Sequence, residues 1–234
     1  MQEKTAIQEK IKIIKYDPIS VDNSKESDKM DIVQPGKISW TAHMQIEKYN
    51  NRESFDAGIP DEVHNVEGNT ATNKGLFTLW QLVMGFDPNT SGINWPGDGT
   101  NPAESNYTGV YPLNSTNTYL GVGDSSNAAA ATNMVLQGTN QAWVQCDTGY
   151  PQVVYTNNQN TLQVKATFDS DTANFTWSEW GVANGDHPGA GSFSSPRDEH
   201  NVVLFNRRVD TMGTKAVGAV WVIIADLVIS PTAS

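Results

Sequence analysis

The last third of the chain is a succession of strand-like runs with no helical pattern between them. That succession constrains the fold more than any other feature of the sequence. The runs cover residues 161–168 (TLQVKATF), 173–184 (ANFTWSEWGVAN), 201–209 (NVVLFNRRV) and 217–230 (VGAVWVIIADLVIS). Each is rich in β-branched or aromatic residues and is bounded by Asn, Asp, Gly or Ser, the pattern of short strands joined by turns. In the final run Trp221, Ile223, Ala225, Leu227 and Ile229 share one face, and Val222, Ile224 and Val228 share the other. A strand apolar on both faces is predicted to be central or covered on both sides.

Upstream the same signal recurs more sparsely. Ile38, Trp40, Ala42, Met44 and Ile46 alternate with polar residues, which predicts a half-buried strand beginning at Lys37. Short strands are expected around 63–66 and over 119–122. Residues 151–155 and 161–168 flank a turn-rich spacer, 156–160, of hairpin length. A helix is predicted over 70–85: Thr70 or Thr72 can cap it, Leu76, Leu79, Trp80 and Val83 fall at helical spacing, and Gly85 can end it. The run also tolerates a strand, but helix is preferred. Residues 126–134 (SNAAAATNM) suit a short helix capped by Ser125 or Ser126. Residues 49–58 and 86–119 read as loops, and a loop as long as the second is usually functional or packed on a neighbour. The expected fold is mainly β: an antiparallel β-sandwich, with a jelly-roll as one form of it, one or two short helices and an extended N-terminal arm.

Length and charge divide the chain further. Its 234 residues are enough to bury a real core, and abundant Gly, Asn, Ser and Thr suit a turn-rich β protein. The expected organisation is an arm and linker over 1–36 and a β-sandwich body over 37–234. Residues 7–14 (IQEKIKII) are too short and Lys-rich for a stable isolated helix, and could equally add as a strand to a partner. Residues 17–35 are polar, with a Pro near each end, and read as a linker. The net charge is −11, and residues 1–31 hold six of the fifteen bases and seven of the twenty-six acids. The rest therefore carries nine bases against nineteen acids, so a nearly neutral arm precedes an acidic body. That balance argues against a nucleic-acid surface. No apolar stretch has the length of a membrane span. No signal-peptide pattern opens the chain, so synthesis in a cytoplasm is expected. A lone Cys146 leaves no intramolecular disulfide and reads as a small buried hydrophobe.

Candidate chemistry is sparse. Gly123-Asp124-Ser125 follows a predicted strand, as in one class of serine hydrolases, with Asp198 and His200 as conceivable acid and base. The block lies mid-chain, however, and no Gly-x-Asn-Asp segment is present for an oxyanion hole, so a β-turn is the expected role. Asp186, His187, Asp198 and His200 show no metal-ligand spacing. Asp169-Ser170-Asp171 lacks the Gly and distal Glu of a calcium loop and reads as a turn. No cofactor is expected. Glu179, between Trp177 and Trp180, is a carboxylate among aromatics whose pKa burial would raise. A structural partnership with Arg207, Arg208 or Lys215 is expected of it, and Glu179, Arg207 and Lys215 form the predicted structural polar cluster. Asn89, Asn106, Asn114 and Asn174 head glycosylation sequons that carry no meaning without secretion. Trp95, Tyr107 and Tyr111 could stack on sugar rings, although anchoring of a long loop is the commoner role.

Several blocks resemble a family of small virion proteins of tailed bacteriophages. They are Trp40 with residues 46–51 (IEKYNN), Gly68-Asn69, residues 119–125 (YLGVGDS), 129–136 with Gln137, and Tyr150-Pro151-Gln152-Val153. Further blocks are Phe168 with Ala173-Asn174, Trp177 and Glu179-Trp180-Gly181-Val182, then Leu204 with Asn206-Arg207, and Gly213-Thr214-Lys215 leading to Trp221. In order and spacing they cover residues 38–230; the arm does not match, and the 86–117 loop is longer than the pattern. The ending is similar, more loosely, to collar and fibre-attachment domains of phage tails. The resemblance implies a non-enzymatic structural part of a virion, a homo-oligomer joined to other virion proteins. It would decorate or cement the capsid, contacting the major capsid protein, or else sit among tail proteins, where a host surface glycan becomes a partner. From another class, a Ser125 esterase, a Glu179 glycan-cleaving enzyme or a glycan-binding module remain the rivals.

Overall fold

A computed structural model of the protein describes residues 37–84, 112–156, 159–185, 192–193 and 203–232. Two antiparallel sheets form a β-sandwich. The first sheet takes β1 (Lys37–Tyr49), β2 (Glu62–Glu67), β6 (Gln152–Thr156), β7 (Gln159–Phe168) and β12 (Val220–Thr232) in the order β2-β1-β12-β7-β6. The second takes β3 (Thr70–Ala71), β4 (Thr118–Gly123), β5 (Gln141–Gln145), β8 (Thr176–Asn184), β9 (Ser192–Phe193) and β11 (Asn206–Thr214) in the order β3-β11-β8-β4-β5-β9, with β10 (Val203–Leu204) also pairing β8. Two helices complete the described residues, α1 (Arg52–Asp56) and α2 (Asn73–Met84).

The alternation read from sequence places the core. Met44 and Ile46 of β1, Val164 and Phe168 of β7, and Ile223 and Leu227 of β12 meet Leu120 and Val122 of β4 and Trp180 and Val182 of β8. The long apolar β12 is the central strand of its sheet. Its second face is also covered at one end, where Val220 and Val222 pack with Tyr49 under Phe55 of α1. The Tyr49 and Phe55 rings meet edge to face at 5.3 Å. Phe168, Trp177 and Trp221 form an aromatic row with centroids 4.9 and 4.6 Å apart, and the Lys48 ammonium caps it 4.8 Å above Trp221.

Four local expectations are corrected. Residues 49–58 are not all loop, since α1 lies within them, capped by the Asn51 side chain, which accepts from the Ser54 amide. The helix expected from residue 70 begins at Asn73. Thr70 and Ala71 instead pair with Arg207 and Asn206, and Thr72 caps α2 by accepting from the Gly75 amide at 3.0 Å. The buried face of α2 also differs from the predicted one. Leu76 is 38% and Trp80 65% exposed, whereas Gly75 and Thr78 are buried and Leu79 and Leu82 pack on the core. The reason is close approach: a Cβ on Gly75 would lie 2.4 Å from the Phe205 Cα, so the helix meets backbone and needs its small residues there. Apolar periodicity does not register a contact made by glycine. Residues 126–134 form no helix, because a buried pair of charges holds their backbone.

Candidate functional site

Glu179 and Arg207 are that pair, both fully buried, with Nε to Oε2 at 2.6 Å. The β8–β11 ladder sets Val209 opposite Glu179 and Arg208 opposite Trp180, which brings the start of β11 alongside the middle of β8. Glu179 also sits opposite Gly123 of β4, and a Cβ there would fall 2.4 Å from its Oε1. Glycine at 123 thus leaves the carboxylate room to lie flat on the sheet.

The 124–140 segment between β4 and β5 closes over the pair. Glu179 accepts from the Gln137 amide at 2.9 and 3.1 Å and from the Gly138 amide at 2.6 Å. Arg207 donates to the carbonyls of Asn127 at 3.0 Å and Ala128 at 3.1 Å and to the Asn133 side chain at 3.2 Å. The Asn73 amide at the start of α2 donates to the Ala131 carbonyl at 2.8 Å. Carbonyls turned in this way toward Arg207 and α2 do not line up along one axis for i→i+4 bonds, so an alanine-rich run of good helix propensity stays irregular. An ion pair without further partners would struggle to offset the desolvation of two charges; this one is supported on both sides by backbone dipoles.

Lys215 does not join this cluster. It is buried just beyond β11, and its Nζ donates to the Asp169 carbonyl at 2.6 Å and the Asn174 side chain at 2.8 Å. Burial pulls its pKa from 10.5 to about 8, opposed by the nearby Asp169 and Asp171. The predicted trio is therefore two separate structures: one ion pair, Glu179–Arg207, and one ammonium in the turn after β7. Arg208, the other candidate partner of Glu179, instead approaches Asp210 at 3.8 Å.

Gly123-Asp124-Ser125 is not the β-turn expected: Gly123 ends β4 and Asp124 and Ser125 open the irregular segment beyond it, with their side chains engaged. Ser125 Oγ accepts from the Asn127 amide at 3.2 Å, while Asp124 accepts from the Asn140 amide at 3.1 Å and side chain at 2.6 Å. Asp186, His187, Asp198 and His200 lie outside the described residues, as do Trp95, Tyr107, Tyr111, Asn89 and Asn106. Asn114 and Asn174 use their side chains internally, the first accepting from the Thr116 and Asn117 amides, the second accepting from Lys215. Among the described residues no three His, Cys, Asp or Glu side chains gather as a metal site. Cys146 is buried, which with the neighbouring Asp147 pushes its thiol up to about 12.

Sequence reasoning missed the clamp's other half, the amides of Gln137 and Gly138. Its one visible trace is glycine placement. A Cβ at Gly121 would strike the Trp143 ring at 2.5 Å, and one at Gly181 the Asn206 carbonyl at 2.4 Å. Together with Gly123 these glycines make a floor on the outer face of the second sheet, over which Trp143, Asn206 and the 124–140 segment lie. Chemically the centre is closed: Glu179 receives three donors, and Arg207 uses four of its five N–H groups. Compared with protein-family models, with curated proteins and with solved structures, the chain matches none.

Proposed function

We propose that this chain is a non-enzymatic structural protein of a tailed-bacteriophage virion, made in the host cytoplasm, that decorates or cements the capsid surface through its 1–36 arm. The observation that carries the reading is the use to which the shared blocks are put. Glu179 and Arg207, which stand in blocks that resemble the virion family, clamp the 124–140 segment to the sheet through Asn133 and Gln137 of a third such block and the adjoining Asn127, Ala128 and Gly138, instead of lining an open site. A carboxylate that is fully buried and held by three protein donors is not presented to a substrate, so the clamp supports a scaffold. The acidic body, in a chain of net charge −11, suits a protein lattice and not nucleic acid. Its partners on this reading are the major capsid protein and further copies of itself.

Quantitative gel densitometry of purified virions tests the placement. Hundreds of copies per particle are expected for decoration. A handful would sink that placement and move the chain to the tail, collar or fibre, where the 86–117 loop becomes the segment to test on a host-glycan array. Incubation with acyl-ester and polysaccharide panels tests the enzymatic rival; turnover abolished by Ser125→Ala would overturn the structural reading.

A further inference from the structure

Open strand edges differ sharply around this sandwich. In the second sheet the terminal strands β3 and β9 are two residues each, too short to offer a ladder. In the first sheet, the β2 edge carries Glu62 and Glu67. Charge on an edge is a common device against edge-to-edge pairing. The other edge, β6, has none of these protections. Its five residues, Gln-Val-Val-Tyr-Thr, contain no charge and no proline, and among the described residues it pairs only with β7.

The side chains on β6 are unusual too. The β6–β7 register sets Val153 opposite Leu162, whose side chain packs on the core. Directly opposed residues point to the same face. Val153 and Tyr155 therefore continue the core-facing side of the sheet, yet they are 75% and 67% exposed. β4 and β5 lie against β7, and β6 extends one strand further out. The core face ends in an apolar lip.

We propose that β6 pairs with β6 of a second copy, antiparallel across a two-fold axis centred on Val154. The charge distribution permits this occupant, and the strand's own sequence selects it. In a chain of net charge −11, contact between identical acidic surfaces is repulsive, and a neutral edge is where two copies can meet without opposing like charges. A five-residue strand centred on Val154 is self-complementary: Val153 comes to lie opposite the partner's Tyr155, and Tyr155 opposite the partner's Val153. Such aromatic/β-branched pairs stabilise antiparallel ladders, and here both lie on the core side, where the lip would be covered. The sheet would run continuously through both copies. This names the surface for the self-association in the function proposed above, and does not depend on the virion assignment.

Sedimentation of the full chain at micromolar concentration is expected to give twice 25.5 kDa, and Val153→Lys to give 25.5 kDa with unchanged far-UV circular dichroism. Amide exchange on the unmodified protein supplies a second reading that needs no variant: protection of residues 152–156 should increase with protein concentration. A chain that stays monomeric, or a dimer that Val153→Lys leaves intact, overturns the proposal. So does protection independent of concentration, which would mean that the edge is covered from within the same copy. A monomer would leave the virion copy number untouched, and a low copy number would leave the dimer untouched, so the two readings fail separately.

Discussion

Two buried cationic side chains stand at opposite ends of one strand, and they are compensated differently. Arg207, at the start of β11, meets a full carboxylate and the carbonyls of a clamped segment. Lys215, just past the end of β11, meets one carbonyl and one amide oxygen, with carboxylates only nearby. Guanidinium holds its proton at any ordinary pH and spreads its donors in a fixed fork, so it can tie several backbone groups at once. An ammonium without a bonded counter-ion gives up its proton more readily as burial deepens. The first arrangement is a permanent tie, whereas the second is a contact whose charge depends on pH.

The largest test of that difference removes the tie. Arg207→Met strands the Glu179 carboxylate in the interior and should cost about 3–5 kcal/mol, read as a lowered denaturation midpoint. Amides in the 124–140 segment should lose protection first; if they exchange no faster than in the parent, the clamp assignment fails. Glu179→Gln offers a milder version, with its main effect a lower melting temperature.

Gly123→Ala perturbs the same centre without touching a charge. The new methyl would press on Glu179 Oε1, and an overpacking cost of about 1–3 kcal/mol is expected from calorimetry. An unchanged melting temperature would show that the carboxylate has room to move.

Lys215 is tested by pH. Its folded pKa, about 8, lies below its ordinary 10.5, so between these values the unfolded chain binds more protons and stability should rise with pH. Burial raises Cys146 from 9.0 to about 12, and burial with a hydrogen bond to Glu47 raises Tyr49 from 10.0 to about 12. In both of those the folded state holds its proton longer, so their contributions are lost as pH climbs above 9 and 10 towards 12. From pH 8 to 9 the Lys215 gain is the larger effect and opposes the onset of the Cys146 loss. Melting temperatures there should increase in the parent chain and fall slightly in Lys215→Met; parallel profiles would refute the assignment.

The smallest effect concerns the turn that supplies the Lys215 acceptors. Ala173 sits at φ 57°, and its carbonyl takes the Trp177 indole N–H at 2.9 Å. Ala173→Gly should relieve that backbone and raise stability by about 0.5–1 kcal/mol in urea titrations. A loss instead would mean that the methyl's packing outweighs the strain.

Much of this architecture was legible beforehand in particular residues. The alternation of Ala42, Met44 and Ile46, and the two-faced run from Trp221 to Val228, specify strands because side chains in a strand alternate strictly between faces. A carboxylate set between Trp177 and Trp180 had to find a cation, so a partner for Glu179 was foreseeable. Which cation was not foreseeable. The β8–β11 register shifts between Val209 and Gly213, and that irregularity helps decide that Arg207 reaches Glu179 while Lys215 does not. The face of α2 was misread because Gly75 makes its contact through backbone.

By itself, then, the sequence determined that the chain would be a β-sandwich with an acidic body and a buried polar partnership near Glu179. Local periodicity and composition carry that information residue by residue. Only the tertiary structure decided that residues 126–134 would forgo a helix, that Gly121, Gly123 and Gly181 would form a floor, and that Val153 and Tyr155 would overhang the core. Each of these depends on which distant backbone comes within hydrogen-bond or van der Waals reach, and such distances are fixed by the packing of two sheets.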